Sequence, residues 1–187
     1  MHDTPETDGP MWVFGYGSLI WNPGFTPVET AIATLPGWAR SFCMRSIHHR
    51  GTPEDPGLVL ALDEVADAEC HGVAFCVAEP ERAHVLAYLR ERELVSSAYL
   101  ETWQQVRLAD GREVQAVTYV IDPAHVQYCA LALEEQAEII AYAHGGRGPN
   151  HEYLTNTADH LAELGIEDTD LTYLAKRVRS LRDNSLA

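Results

Sequence analysis

A glutamate at the end of a predicted helix is the first residue whose position needs a chemical reason. The pattern of residues 81–93 predicts a helix that places Leu86, Leu89 and Glu93 on one narrow apolar face. An acid is unfavourable there, and the helix dipole disfavours it by about 0.3–1 kcal/mol more. The structural interpretations are an ion pair with an arginine such as Arg92, or a helix that frays before its end. The functional interpretation is a partly buried carboxylate whose pKa is raised until it can act as a base near neutrality.

A glycine-containing turn is the second candidate for chemistry. Residues 11–14 read Met-Trp-Val-Phe, which predicts a buried strand, and Gly-Tyr-Gly-Ser at 15–18 predicts a tight turn at its end. Two glycines that flank a tyrosine let backbone N–H groups come close to a ligand, because no Cβ stands in the way. The tetrapeptide alone is equally compatible with an ordinary hairpin turn.

Cationic side chains cluster where the chain carries no acid. Between Glu29 and Glu54 there is no acid, whereas Arg40, Arg45, His48, His49 and Arg50 all lie there. In a chain with a formal net charge of -15 this favours a small anionic ligand nearby, although the arginines could instead pair with surface carboxylates. Adjacent histidines on a strand point to opposite faces, and no His-x-His or His-Glu-x-x-His pattern occurs. We therefore expect no metal site.

A second glycine-rich segment precedes a predicted helix. Residues 145–149 read Gly-Gly-Arg-Gly-Pro, and Asn150 suits the N-terminal cap of the helix that follows. Helix punctuation is a sufficient explanation for this segment, and a direct substrate contact is the alternative.

The elements that must position these residues are strands in the first half of the chain and helices in the second. Predicted strands cover residues 11–15, 39–44, 57–62 and 72–78, and residues 99–108 and 113–121 predict a hairpin across Asp110 and Gly111. Beyond the helix at 81–93, helices are predicted at 131–143, 150–164 and 168–181. This order predicts an α+β fold, a small mixed β-barrel with flanking helices, rather than a doubly wound sheet.

Length and composition predict the domain organisation, the kinds of partner and the cellular compartment. A chain of 187 residues with 46% hydrophobic residues predicts a single domain over 1–187, with residues 1–10 as a flexible tail. The 28 acids against 13 Lys+Arg argue against nucleic acid and anionic membranes as partners. Four cysteines without Cys-x-x-Cys spacing predict reduced core thiols. The polar N-terminus, and the absence of any stretch of about 20 apolar residues, predict a cytoplasmic protein.

Together these segments resemble the ChaC-like glutathione-specific gamma-glutamylcyclotransferases. The matching stretches are Val-Phe-Gly-Tyr-Gly-Ser-Leu-Ile-Trp at 13–21, His-Arg-Gly at 49–51 with Pro-Gly at 56–57, Tyr-Leu-x-x-Arg-Glu at 88–93 followed by Tyr99, and Asn-x-Glu-Tyr-Leu at 150–154. With the C-terminal Leu-x-x-Leu pattern, the likeness runs from residue 12 to residue 178. The chain departs from some relatives at 94–98, where Leu-Val-Ser-Ser-Ala replaces a glycine-containing stretch, and at 146–149, where Gly-Arg-Gly-Pro differs from the usual glycine-serine turn.

The resemblance implies a gamma-glutamylcyclotransferase-like barrel with no metal and no organic cofactor. It implies that Glu93 is the catalytic glutamate, and that the loop holding the γ-glutamyl group consists of Gly15, Tyr16, Gly17, Ser18 and Leu19. Arg50 and Arg40 are the candidate anion partners. Tyr99 and Tyr119 complete the expected substrate contacts.

The implied reaction is an intramolecular cyclisation. The α-amine of a γ-glutamyl group attacks its own γ-carbonyl, giving 5-oxoproline and releasing Cys-Gly when glutathione is the substrate, with Glu93 as general acid and base. One alternative is a cyclotransferase for other γ-glutamyl amines or dipeptides, and another is a non-catalytic module that binds a γ-glutamyl metabolite. The expected partner is a small-molecule substrate, without nucleic acid or membrane, and a monomer is the expectation from size.

Overall fold

The computed structural model describes residues 9–186, which form two compact units. The first comprises residues 9–40 and 62–125, and the second comprises residues 41–61 and 126–186. The tail predicted at 1–10 lies outside the described residues except for its last two positions. The single domain over 1–187 stays a prediction.

Five strands close into a barrel. They are β1 (Met11–Gly15), β2 (Glu29–Ser46), β3 (Gly57–Val77), β4 (Tyr99–Leu108) and β5 (Glu113–Ile121), hydrogen-bonded in the order β1-β3-β2-β4-β5. β1 runs antiparallel to β3 and parallel to β5, so the barrel is mixed. The predicted α+β class with a small mixed barrel is therefore confirmed.

The hairpin of β4 and β5 has the predicted bounds and a defined register. Tyr99 pairs with Ile121 and Glu101 pairs with Tyr119 across the two antiparallel strands. The connecting turn includes Gly111, whose φ of 93° is a left-handed conformation that glycine adopts without strain. This register places the β4 and β5 residues of the candidate site side by side.

The longest strand differs from the sequence prediction. The segments predicted at 57–62 and 72–78 are parts of one strand, β3, and the residues between them continue it with mostly exposed side chains. Residues 63–69 read Asp-Glu-Val-Ala-Asp-Ala-Glu, and acids are depleted from strands, so composition concealed the continuity. β2 likewise begins at Glu29, well before the predicted start at residue 39.

One α-helix belongs to the first unit. A short 3-10 turn over Glu79–Glu81 leads into α1 (Arg82–Glu93), which buries Val85, Leu86 and Leu89. The predicted helix is therefore confirmed, including its last residue.

The second unit holds three helices and a short hairpin. The helices are α2 (Leu133–Tyr142), α3 (Asn150–Glu163) and α4 (Thr169–Ser185), and the hairpin pairs β6 (His144–Gly145) with β7 (Gly148–Pro149). All three helices were predicted, but the prediction that Asn150 caps α3 is wrong. Its buried side chain instead accepts a hydrogen bond from the Leu58 N–H at 2.7 Å and donates one to the Leu58 carbonyl at 2.8 Å.

Three further properties bear on function. The four cysteines are free and buried. Across residues 9–186, none of the helices combines the length and apolar character needed to cross a bilayer. In the same part of the chain, no group of three or more His, Cys, Asp or Glu side chains is arranged to hold a metal ion. The lack of a metal stays a prediction.

Candidate active site

The glycine turn, residues 15–19, begins where β1 ends. A short 3-10 helix over Ser18–Ile20 follows the turn directly. Within the described residues, the N–H groups of Ser18 and Leu19 make no hydrogen bond to another backbone group. Consecutive N–H donors of this kind can receive an anionic or carbonyl oxygen.

Gly15 is favoured by close packing rather than by a positive φ. An added Cβ would lie 3.1 Å from Leu19 Cβ and 3.1 Å from a ring carbon of Phe75. Across the β1–β3 pair, a Cβ on Gly72 would lie only 2.4 Å from the Gly15 carbonyl oxygen. A side chain at Gly72 would therefore clash with the backbone of the turn, and one at Gly15 would fit only if Leu19 and Phe75 shifted slightly.

Tyr16 is fixed at both its hydroxyl and its carbonyl. The buried hydroxyl donates to the Tyr119 carbonyl at 2.7 Å, and Arg40 Nε donates to the Tyr16 carbonyl at 2.6 Å. Arg40 is itself buried and also donates to the His71 carbonyl. Arg40 thus holds the backbone of the glycine turn, and its predicted role as an anion partner stays a prediction.

Glu93 is the last residue of α1, and its carboxylate is partly buried. The Glu93 side chain is 17% exposed, and Leu86 and Leu89 of the same helix face are buried. Glu93 Oε1 lies 3.2 Å from Arg92 Nε. The ion pair considered as a structural explanation is therefore present, whereas the frayed helix is not.

Arg92 also reaches the glycine turn. One Nη donates to Ser18 Oγ at 2.9 Å, and the other donates to the Asn22 carbonyl at 2.5 Å and to the Tyr88 hydroxyl at 3.1 Å. Only 14% of the Arg92 side chain is exposed. A single guanidinium therefore contacts both the glycine turn and Glu93.

A second arginine of the same helix turn contacts the barrel. Arg90 donates from Nε to Glu101 Oε2 at 2.8 Å and from Nη2 to Oε1 at 2.7 Å, in the bidentate geometry that strengthens arginine–carboxylate pairs. The Glu101 side chain is only 1% exposed. The hydrogen bond to Glu101 raises the pKa of Arg90, so its guanidinium stays charged.

Tyr119 interacts with the two glutamates in different ways. Its hydroxyl donates to Glu101 Oε2 at 3.1 Å. Burial, followed by the negative charges of Glu101 and Glu93, raises the pKa of Tyr119 far above its usual value, so the phenol stays protonated. Because alternate residues of a strand share a face, Tyr99 of β4 lies on the same face as Glu101.

Arg50 belongs to the second unit, while the other predicted site residues belong to the first. Its Nη1 donates to the Pro149 carbonyl at 3.1 Å, and its guanidinium lies 5.6 Å from the centre of the Tyr153 ring. Burial lowers the pKa of the adjacent His49, and the charge of Arg147 lowers it further. Arg50 therefore lies in a cationic cluster of its own unit, and its contact with substrate stays a prediction.

Three residues of the first unit were not predicted as site residues. Arg92 entered only as a possible ion-pair partner of Glu93, and Arg90 and Glu101 did not enter at all. A signal for Glu101 was present, since it is an acid two residues after Tyr99, an expected substrate contact, and alternate residues of a strand share a face. No comparable signal exists for the contact of Arg92 with Ser18, because those residues lie 74 positions apart.

The arrangement can do one kind of chemistry well. It combines backbone donors, a hydroxyl at Ser18 and a partly buried carboxylate at Glu93. Donors of this kind stabilise negative charge that develops on a carbonyl oxygen, and a positioned carboxylate can take and return a proton.

Comparison with solved structures gives the class of this fold. The crystal structure of a γ-glutamyl cyclotransferase specific to glutathione, from yeast, superposes with a TM-score of 0.84 at 25% identity, over 94% of this chain and 98% of that one. A further gamma-glutamyl cyclotransferase structure superposes with a TM-score of 0.58 at 16% identity, over 88% of this chain and 86% of that one. The chain has the gamma-glutamylcyclotransferase fold.

Sequence comparison gives the family. The ChaC-like protein family model matches residues 11–181. The glutathione-specific gamma-glutamylcyclotransferase of Escherichia coli (strain K12) is 40% identical over 175 residues, which is 93% of this chain and 75% of that protein. Gamma-glutamylcyclotransferase 2-3 of Arabidopsis thaliana is 35% identical over 182 residues, which is 94% of this chain and 92% of that protein. This chain belongs to the ChaC-like protein family, and the resemblance drawn from its motifs is confirmed.

Proposed function

We propose that this protein is a glutathione-specific gamma-glutamylcyclotransferase in which Glu93 transfers the proton. The α-amine of the γ-glutamyl group attacks the γ-carbonyl, a new C–N bond closes the five-membered ring, and the original γ-amide bond breaks. The products are 5-oxoproline and Cys-Gly. No water enters the reaction, and no oxidant or reductant is needed.

The observation that supports the proposal most is the contact of one guanidinium with both motifs. Arg92 lies 2.9 Å from Ser18 Oγ and 3.2 Å from Glu93 Oε1, so the glycine turn and the glutamate are neighbours despite their separation in the chain. The names of the E. coli and yeast relatives support the choice of glutathione as substrate.

The chemistry assigns a task to each part of the site. Intramolecular attack is already favoured by effective molarities of about 10⁵–10⁸ M, so the protein has to hold the folded conformer of the substrate and move protons. Transfer of a proton from an α-ammonium to an ordinary glutamate is uphill by about 5 kcal/mol in water. Glu93 accepts this proton and returns it to the leaving nitrogen, while the N–H groups of the glycine turn receive the substrate carboxylate or the developing oxyanion.

The test is incubation of the purified protein with glutathione in the presence of a chelator, with 5-oxoproline and Cys-Gly measured together. Equal amounts of both products are expected. Formation of neither product would refute the proposed function. Parallel reactions with γ-glutamyl dipeptides separate the glutathione-specific enzyme from a broader cyclotransferase, and measurable binding without turnover would favour a binding module.

Two properties of the working enzyme are part of the proposal. Four buried free thiols fit a reducing compartment, so we place the enzyme in the cytoplasm. We expect a monomer, which size-exclusion chromatography with light scattering would test.

A further inference from the structure

We propose that Arg92 is a positioning residue that holds the catalytic carboxylate of Glu93 and the substrate-binding glycine turn at a fixed distance from each other. This inference rests on the proposed function, because it assigns Arg92 a role in the same reaction. Arg92 acts on the protein's own groups, and substrate does not need to touch it.

Each guanidinium nitrogen of Arg92 has a protein partner. Nε faces Glu93 Oε1, one Nη bonds to Ser18 Oγ, and the other bonds to the Asn22 carbonyl and the Tyr88 hydroxyl. These partners come from α1 and from the segment that follows β1. The planar guanidinium has a fixed fork geometry, so the distance between Ser18 and Glu93 is set by one rigid group.

The segment beyond the glycine turn is packed onto α1 by a second contact. Gly24 has a φ of 78°, and an added Cβ would lie 1.9 Å from the Tyr88 hydroxyl oxygen. Tyr88 therefore lies directly against the backbone of this segment and also accepts the bond from Arg92. Arg92 and Tyr88, one helical turn apart, together hold residues 18–24 on α1.

The bond to Ser18 orients a hydroxyl that the reaction can use. Because Ser18 Oγ accepts from Arg92, its own O–H hydrogen points elsewhere and can be donated to a ligand oxygen. Without Arg92, the Ser18 hydroxyl could rotate. The hydroxyl and the backbone N–H groups of the turn would then lose their fixed positions.

The charge of Arg92 has a separate effect. An opposite charge at 3.2 Å stabilises the ionised carboxylate of Glu93, so Arg92 keeps the group in the form that accepts the substrate proton and opposes the rise in pKa expected from burial. Tyr119 of β5 also faces Glu93, and beyond it lie Glu101 of β4 and Arg90 of α1. Arg90 pairs with Glu101, whereas Arg92 is paired directly with Glu93.

Charge and geometry can be separated by two substitutions. Arg92→Met removes both, whereas Arg92→Lys keeps a positive charge without the fork. Because a misplacement of about 1 Å can reduce turnover by about a hundredfold, both variants are expected to lower kcat by roughly tenfold to a hundredfold, with a smaller change in KM. The acid limb of the kcat/KM profile is expected to move to higher pH in Arg92→Met and to return towards the wild-type position in Arg92→Lys.

The matched controls are Arg107→Met and Arg107→Lys. Arg107 belongs to the same unit, is exposed and pairs with Glu69 at 3.4 Å, so its variants remove an arginine far less constrained than Arg92. Wild-type kcat and an unchanged acid limb are expected for both. Arg92 variants with the kcat and pH profile of these controls would overturn the proposal, and so would a rise in KM alone.

One measurement does not depend on turnover. The Glu93 carboxyl can be titrated by ¹³C NMR in the wild type and in Arg92→Met, where its midpoint is expected at a higher pH. An unchanged midpoint would overturn the charge part of the proposal. If Arg92→Met fails to fold, Arg92→Lys still tests the geometry through kcat. A wild type without 5-oxoproline would refute the proposed function, whereas a normal wild type with unaffected Arg92 variants would refute only this inference.

Discussion

Glu93 ends α1 with its carboxylate paired to Arg92. The carboxylate is neither fully buried nor free in solvent, and its charge contributes to the raised pKa of Tyr119. A partly buried carboxylate of this kind suits a group that has to alternate between protonated and ionised forms. The sequence drew attention to Glu93 because an acid on an apolar helix face needs a reason.

Replacement of Glu93 by glutamine should remove catalysis while preserving the shape of the site. General acid–base groups contribute about 10²–10⁴-fold to rate, so Glu93→Gln is expected to lower kcat by at least about a hundredfold. Product formation under single-turnover conditions measures this, and isothermal titration of glutathione measures binding, which should change little.

Glu91→Gln is the matched control for this substitution. Glu91 is an exposed acid in the same final helical turn, and it is expected to retain wild-type turnover. Equal activity of Glu93→Gln and Glu91→Gln would exclude Glu93 as the proton carrier.

The buried phenol of Tyr119 predicts a loss of stability in alkaline solution. The folded state raises the pKa of Tyr119, so above about pH 10 the unfolded chain loses this proton while the folded chain keeps it. Unfolding then releases a proton, and the free energy of unfolding falls as pH rises. Denaturant titrations from about pH 8 to about pH 11 should show a steeper fall for the wild type than for Tyr119→Phe.

At neutral pH the Tyr119 hydroxyl is expected to stabilise the folded protein. Tyr119→Phe loses the bond to Glu101 and is expected to be less stable than the wild type by about 1 kcal/mol. Tyr142→Phe, which removes an exposed phenol of the second unit, controls for the loss of a tyrosine. A constant difference between Tyr119→Phe and the wild type across the whole range would contradict the prediction.

At the scale of elements, the connection between α1 and β4 contains a strained residue. Ser97 has a φ of 58°, a left-handed conformation that costs roughly 1–2 kcal/mol for a residue with a Cβ. This connection, residues 94–98, is also where the sequence is expected to differ from the glycine-containing stretch of some relatives. It joins α1 to the strand that carries Tyr99 and Glu101.

Glycine at position 97 should relieve this strain. Ser97→Gly is expected to raise the free energy of unfolding by about 0.5–1 kcal/mol, since the gain in the folded state exceeds the extra entropy of the unfolded chain. Ser96→Gly is the control, because Ser96 does not have a positive φ, and it should be neutral or destabilising. Denaturant midpoints that rank the two variants in the opposite order would show that Ser97 is unstrained.

Much of the element structure follows from the sequence, and the exceptions have physical causes. Helix α1 is predicted by the spacing of its apolar residues, and the β4–β5 hairpin is predicted by its Asp-Gly turn. Both signals are local in the sequence. The middle of β3 could not be predicted, because its exposed acids are typical of a loop. This segment is a strand only because its backbone is hydrogen-bonded to neighbouring strands. Asn150 was assigned to a helix cap from local pattern, whereas its partner Leu58 lies 92 positions away.

The same division applies to the candidate site. Glu93 and the glycine turn stand out by residue type, and the motif resemblance assigns their roles. The contacts of Arg92, Arg90 and Glu101 depend on which helices and strands pack against one another. A single sequence does not specify this packing directly.

At the scale of the whole molecule, the dominant property is charge. A formal net charge of -15 on 187 residues makes the folded protein repel itself, because folding brings the acids closer together. The Arg112 pairs with Glu29 and Asp110 relieve this only locally, since all three side chains are exposed.

Salt should therefore stabilise the folded protein at neutral pH. The melting temperature is expected to rise by a few degrees between about 10 mM and about 200 mM NaCl, as screening shortens the range of repulsion. The control is the same titration near the isoelectric point of about 4.8, where the effect should largely vanish. A melting temperature that falls with salt at neutral pH would show that attractive ion pairs dominate instead.

The burial of all four thiols has a consequence for a protein proposed to act on glutathione. Oxidised glutathione exchanges with accessible thiolates and leaves a mixed disulfide on the protein. None of Cys43, Cys70, Cys76 and Cys129 is more than 8% exposed. Burial also raises the pKa of Cys76 and Cys129, so their thiolate forms are scarce. Oxidised glutathione should therefore not modify the enzyme. Its activity should follow the concentration of reduced glutathione, without loss through oxidation of its own cysteines.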